Sequence, residues 1–276
     1  MAEINYGVIE GQRDTDYVAG TLPYEVLNPS GDWTPWLPLG EWQYINNFDL
    51  MACVTFSGEN VLETIHYFLT GVRRNFSDRF NAFLSGTTTN GNWLWKVGDS
   101  FRKDGLVEET DWPTPPNPTW NTYYTPPPIE VINKGKKFLE EWTINYEFID
   151  FSKESLLKHI KQSPIQVVIP GHAVMLFAST EQINKYFDSY EPFIKERVEG
   201  FSSALKYVMT RKTMFSLLQV EGQEDVWLVR DGKRSLIYNY LAFSLIANPE
   251  QIQKVTLAQL QAIPDTGKVL AGLDQK

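Results

Sequence analysis

The apolar positions Val54, Val61, Leu62, Ile65, Phe68 and Leu69 recur at helical spacing and predict an amphipathic helix with Cys53 at its start. Gly58 interrupts it, at a cost of roughly 1 kcal/mol relative to alanine, which points to close packing there. Phe76, Phe80, Phe83 and Leu84 predict a second helix over about 75–84, followed by a polar loop at 85–92. Ser152 reads as the N-cap of a short helix carrying Leu156, Leu157, His159 and Ile160. Ile165-Gln166-Val167-Val168-Ile169 and residues 173–178 are largely apolar runs of strand length, read as buried strands. Residues 190–213 carry Phe193, Ile194, Val198, Phe201, Leu205, Val208 and Met209, read as an amphipathic helix with Lys195, Glu196, Arg197 and Glu199 on its solvated face. From about 216 the texture changes to a hairpin with an Asp231-Gly232 turn and then two short helices ending at 263–267. The expected division is 1–215 and 216–276.

The connections also carry signals. Residues 1–48 hold Gly20, Pro23, Pro29, Gly31, Pro35 and Pro38 among Trp33, Trp36 and Trp42, an extended lead-in packed onto the main domain. Residues 113–128 hold seven of the 16 prolines and read as a stiff crossover, with a proline–tyrosine ligand for a protein partner as the alternative.

Composition narrows the function. Net charge is −9 over 276 residues, an acidic surface that repels phosphate backbones and argues against nucleic acid. No window approaches the ~18 apolar residues of a membrane span, and the first residues lack the basic and apolar regions of a signal peptide. The expectation is a chain that is cytoplasmic at synthesis. One cysteine excludes an internal disulfide and a cysteine-rich zinc site, and no metal or organic cofactor is implied.

A lone cysteine is usually a small buried hydrophobe. A helix start changes that, because free N–H groups and the helix dipole favour a thiolate, and an imidazole does more. Of three histidines, His66 lies more than three turns along the same helix, and His159 reads as a surface residue. His172 stands where a strand begins. Asp188, sixteen residues on, is the candidate to orient its ring, with Asn184 as a nearby alternative.

These segments resemble the papain-like cysteine peptidases. Cys53-Val54-Thr55-Phe56-Ser57 with Glu63 is similar to the family's nucleophile helix. Gly105-Leu106-Val107-Glu108-Glu109-Thr110-Asp111-Trp112-Pro113 is similar to its Gly-Leu-x-x-Glu-x-x-Tyr-Pro stretch. Ser163-Pro164-Ile165-Gln166-Val167-Val168 precedes His172-Ala173-Val174 as in the family, and Asp188-Ser189-Tyr190 stands where it has Asn-Ser-Trp. The resemblance covers about residues 5–212. It implies an α+β, two-lobed papain-like fold, with a helical lobe carrying the nucleophile helix and an antiparallel β lobe carrying His172 and Asp188. A small C-terminal α/β module follows, similar to accessory units on bacterial surface proteins.

What the resemblance implies for function is a thiol hydrolase acting on peptide or isopeptide bonds, with a polypeptide or peptidoglycan peptide as substrate and no membrane or nucleic-acid partner. Cys53 is the nucleophile, His172 the base and Asp188 its orienting group. The family's oxyanion glutamine falls on Asn47, with Gln43 as a less favoured substitute. Met51-Ala52 replaces Gly-Ser, and the segment before His172 is shorter than in secreted members. The divergent form is similar to papain-like proteins encoded near virion genes of tailed phages and in bacteria. The alternatives are a binding or virion protein on a retired peptidase fold and a cell-wall amidase. Protein partners would use 113–128 or the C-terminal module.

Overall fold

The structure is a computed structural model that describes residues 6–11, 25–198, 200–212, 215–230, 233–237 and 252–270. Gly20, Pro23, Glu199, the Asp231-Gly232 turn and the first expected C-terminal helix lie outside the described residues. The chain divides into two compact units, 1–211 and 212–276.

The first unit opens with strand β1 (Val8–Ile9), a 3-10 turn Thr34–Trp36, and the hairpin β2 (Tyr44–Ile45) and β3 (Phe48–Asp49). Helix α1 (Cys53–Thr70) follows, then α2 (Asp78–Leu84), β4 (Asn92–Trp93), α3 (Leu94–Asp104), a single turn α4 (Trp120–Tyr123) and α5 (Ile129–Glu141). The β lobe is a six-stranded antiparallel sheet of β5 (Trp142–Phe148), β6 (Ile165–Ile169), β7 (His172–Ser179), β8 (Asn184–Phe187), β9 (Ile194–Arg197) and β10 (Ser203–Arg211), in the order β5-β10-β6-β7-β8-β9. Helix α6 (Lys153–His159) connects β5 to β6, and Ser152 caps it by accepting the Ser155 N–H.

Helix α1 is not half-exposed. All of residues 53–66 are buried, Glu59 and Glu63 included, because α1 packs against α2 and α3 on one side and the sheet on the other. At Gly58 an added Cβ would meet the Phe101 ring at 2.7 Å, so the glycine admits that side chain. Gln166 ties the sheet to the helix start, donating to the Val54 carbonyl (2.6 Å) and the Ser57 hydroxyl (2.8 Å) while accepting from Tyr207 (2.9 Å).

The expected helix at 190–213 is instead β9, a loop and β10. β10 lies between β5 and β6 with both faces covered, so its buried positions run on as Ala204, Leu205, Lys206 and Tyr207. A doubly covered strand loses its alternation, and its apolar residues then coincide with helical spacing. Gly200 and the following serines mark the break. His159 is likewise buried rather than on the surface, hydrogen-bonded to Gln162 at 2.9 Å. Trp33 is fully buried with its indole N–H on the Ile160 carbonyl, whereas Trp42 stays half exposed.

Residues 113–128 are held by Arg79, whose guanidinium donates to the carbonyls of Pro113, Thr122 and Tyr123 and lies over the Trp112 ring.

The second unit is a five-stranded sheet of β11 (Phe215–Val220), β12 (Val226–Arg230), β13 (Lys233–Ile237), β14 (Ile252–Val255) and β15 (Asp265–Leu270), ordered β14-β11-β12-β13-β15. The expected hairpin is β12–β13. A short helix, Leu257–Gln261, starts with a Thr256–Gln259 capping box and buries Leu260 against Leu218 and Val220. Among the described residues no helix is long and apolar enough to cross a membrane.

Candidate active site

Cys53 is the first residue of α1, fully buried, so its backbone N–H has no partner within the helix. Its sulfur accepts the Ala173 N–H at 3.4 Å. That contact places the thiol one residue from His172, which opens β7. His172 Nε2 is 2.7 Å from Asp188 Oδ1. The other ring nitrogen, Nδ1, is buried and has no hydrogen-bond partner. Cys53, His172 and Asp188 are thus brought to one place by a helix start, a strand start and the turn after β8.

Asp188 is built into that turn. Its N–H donates to the Phe193 carbonyl (2.8 Å), and its Oδ1 also accepts the Tyr190 N–H (3.2 Å). Oδ2 accepts from Lys195 Nζ at 2.7 Å. Burial pushes the carboxyl up, but the contacts with His172 and Lys195 outweigh it and hold Asp188 below the usual aspartate range. Asn184, the alternative, faces elsewhere, accepting from Lys153 (2.8 Å) and Ser179 (2.7 Å). Burial pushes the Cys53 thiol well above its ordinary range. The Ala173 N–H opposes this, and the charges of Asp49 and Asp188 add to it. A thiolate alone is therefore costly here, and ionisation needs a proton acceptor beside it.

Asn47 is not in this cluster. It stands on the exposed tip of the β2–β3 hairpin at φ +63°, without a hydrogen bond to the other three residues. Gln43 lies instead against the turn that carries Asp188, fully buried, with Oε1 accepting from Ser189 (3.1 Å) and Nε2 within 3.0 Å of Tyr190 Oη and Asp49 Oδ1. The Leu50 N–H donates to the Gln43 carbonyl at 3.1 Å, so residues 44–49 loop out and Gln43 becomes the spatial neighbour of the residues leading into α1. An offset counted along the chain cannot see such a loop. The positive φ of Met51 (+53°), two residues before Cys53, marks the sharp approach to the helix.

Residues 6–9 lie across the same place. The Tyr6 N–H donates to the Gly171 carbonyl (2.8 Å), and the Tyr6 carbonyl accepts from Gln43 Nε2 (2.7 Å). The Tyr6 ring meets His172 and Tyr190 edge-on, at 5.2 and 5.3 Å between centroids. Gly7 follows at φ +111°, where a Cβ would lie 2.3 Å from the Met51 carbonyl oxygen. Gly91 faces it, where a Cβ would lie 2.0 Å from the Gly7 oxygen. Only two glycines admit backbones this close. β1 then pairs with β4. The sequence carried the signal for this segment only as Gly7 and Gly91.

Among the described residues, no group of three or more His, Cys, Asp and Glu side chains is arranged to hold a metal ion. No protein-family model matches the chain, and neither does any curated protein sequence. Solved structures do. Xylellain, a cysteine protease from Xylella fastidiosa, is 14% identical over 73% of this chain and 94% of its own, with a TM-score of 0.54. Two structures of the ragweed pollen allergen Amb a 11, a cysteine protease in its proform, give 16% identity over 69% of each chain (TM-score 0.50) and 15% over 70% of this chain and 62% of that one (TM-score 0.51). The fold of this chain is papain-like.

Proposed function

We propose that the chain is a cysteine hydrolase of peptide or isopeptide bonds. The observation that carries this is the histidine. Its Nε2 is tied to a buried carboxylate while its Nδ1 is buried and free, one residue from the N–H that holds the only thiol. That is the division of labour a nucleophile–base pair needs.

The steps follow from the atoms. His172 Nδ1 takes the proton of Cys53 Sγ as the sulfur adds to the scissile carbonyl carbon. Cys53 N–H and, with Tyr6 displaced, Gln43 Nε2 hold the oxyanion. Collapse breaks the C–N bond, and the leaving amine takes the proton from Nδ1. Water then attacks the thioester with Nδ1 again as base, releasing the acid and the thiol. Asp188 keeps Nε2–H fixed throughout. The ion pair supplies what burial denies to an isolated thiolate.

Iodoacetamide should alkylate Cys53 near pH 6 faster than it alkylates free cysteine, and His172→Ala should abolish the difference. A rate no faster than free cysteine, both in the full chain and in a chain lacking residues 1–11, overturns the reading.

A second reading is a binding protein on this fold. The commitment of the Gln43 amide to Tyr6, Asp49 and Tyr190 favours it, because neither N–H of that side chain is then spare for an oxyanion. It expects no turnover of any peptide library after residues 1–11 are removed.

A further inference from the structure

The imidazole uses one oxygen of Asp188, and the other oxygen is not idle. Oδ2 lies 2.7 Å from Lys195 Nζ. Lys195 is on β9 and pairs in register with Tyr186 of β8, so its backbone is fixed by the sheet just beyond the turn that holds Asp188. The contact differs from an ordinary surface pair such as Lys185–Glu196, where both side chains are about half exposed and 3.5 Å apart. Here the carboxylate is 4% exposed and the lysine 25%. A carboxylate that far from water needs a counter-charge, and a neutral imidazole supplies only a hydrogen bond.

The chemistry adds a second demand, which rests on the hydrolase reading above. When the thiol proton moves to Nδ1, the buried site holds a thiolate, an imidazolium and a carboxylate. These three groups sum to −1, Lys195 brings the four to zero, and the nearby Asp49 charge makes the need for a cation greater. Lysine also shares the carboxylate's charge. A carboxylate whose charge is shared in this way pulls less strongly on an imidazolium formed in the reaction. Among the described residues, the other titratable groups facing this cluster are Cys53 from α1, Asp49 from the β2–β3 hairpin, Tyr186 from β8 with the Arg197 charge beside it, Tyr190 and Tyr6. Of the cations, Lys195 is the one in contact with Asp188.

We propose that Lys195 is a positioning residue of the active site, which holds Asp188 ionised and aimed at His172 and sets the charge balance of the Cys53–His172 pair. It acts through Asp188 and touches neither substrate nor sulfur.

The test uses the full chain and the pH dependence of Cys53 alkylation by iodoacetamide, which is site-specific because the chain has one cysteine. A thiol paired with an imidazole gives two inflections, one where the ion pair forms and one where the ring proton leaves. Lys195→Met should move the upper inflection to higher pH by about half a unit or more, because a nearby cation is gone. Lys195→Arg should restore it to the wild-type position. Lys195→Gln gives a second neutral variant if the methionine form does not fold. Neutral variants whose profiles superimpose on the wild type overturn the proposal and leave the hydrolase reading standing. A shift that arginine does not restore also overturns it, since the effect then follows shape rather than charge. A wild-type profile with the single inflection of an ordinary thiol overturns both.

Discussion

The side-chain amide of Gln43 donates to the backbone carbonyl of Tyr6 at 2.7 Å. Tyr6 thus offers a carbonyl oxygen to the donor that the proposed reaction assigns to the oxyanion, while its ring covers His172. On the proposed hydrolase reading, residues 6–9 of the chain lie where a substrate carbonyl would meet Gln43 and His172. Opening this segment should expose the thiol. Deleting residues 1–11 is expected to raise the iodoacetamide rate constant about tenfold or more. Gly7→Ala should act in the same direction, because its Cβ would strike the Met51 carbonyl. Rate constants equal to that of the intact chain in both variants would show that the segment does not obstruct Cys53.

Gln43 and Asn47 separate by mutation. In the chain lacking residues 1–11, Gln43→Ala is expected to lower kcat/KM on a peptide substrate by about 10²–10³, the usual loss for one oxyanion donor. Asn47→Ala, on the exposed hairpin tip, should leave it within about twofold. The reverse order would move the oxyanion donor back to the hairpin.

These two residues also show where sequence reasoning reaches and where it stops. That Cys53, His172 and Asp188 come together was legible because each signal is local: a helical period starting at a cysteine, a polar residue at the mouth of an apolar strand, and a short offset to an acid. Gln43 stood only as the less favoured substitute for Asn47, because its place depends on the Leu50–Gln43 hydrogen bond that loops out six residues. β10 was misread because a strand buried on both faces has no alternation to find. Lys195, on the stretch misread with it, looked like part of a solvated face. Its contact with Asp188 exists only once β8 and β9 are paired.

A second buried charge makes its own prediction. Lys206 and Glu147 are each 1% exposed and 2.5 Å apart, and Lys206 also donates to Gln162 at 2.9 Å. Lys206→Met removes a buried ammonium from both Glu147 and Gln162 and should cost about 3–5 kcal/mol of unfolding free energy. Replacing both residues with apolar side chains of similar volume should recover most of that. Urea unfolding of the single and double variants measures it, and a single variant within about 1 kcal/mol of wild type would show that the pair contributes little.

The last prediction concerns the carboxyl groups behind the nucleophile helix. Burial raises Glu41, Glu59, Glu63 and Asp78 above their ordinary ranges and raises Glu109 to about 7; neighbouring carboxylates add to this for Glu59, Glu63, Asp78 and Glu109, whereas hydrogen bonds from Asn75 and Asp78 oppose it at Glu41. Neither oxygen of Glu59 has a hydrogen-bond partner among the described residues, so burial weighs on its carboxylate. The folded protein therefore holds protons that the unfolded chain has released above about pH 4–5. Stability from these groups is fully present below that range and is lost as pH rises through their folded-state values, past about 7 for Glu109. Asp188, held low, contributes with the opposite sign, but only as pH falls below the ordinary aspartate range. The unfolding free energy should therefore be larger at pH 5 than at pH 8. Glu59→Gln keeps the shape and removes one proton demand. It is expected to raise stability at pH 8 by about 1–3 kcal/mol and to change it little at pH 5. Urea unfolding of both proteins at the two pH values reads the difference, and parallel losses in wild type and variant would assign the pH dependence to groups other than this cluster.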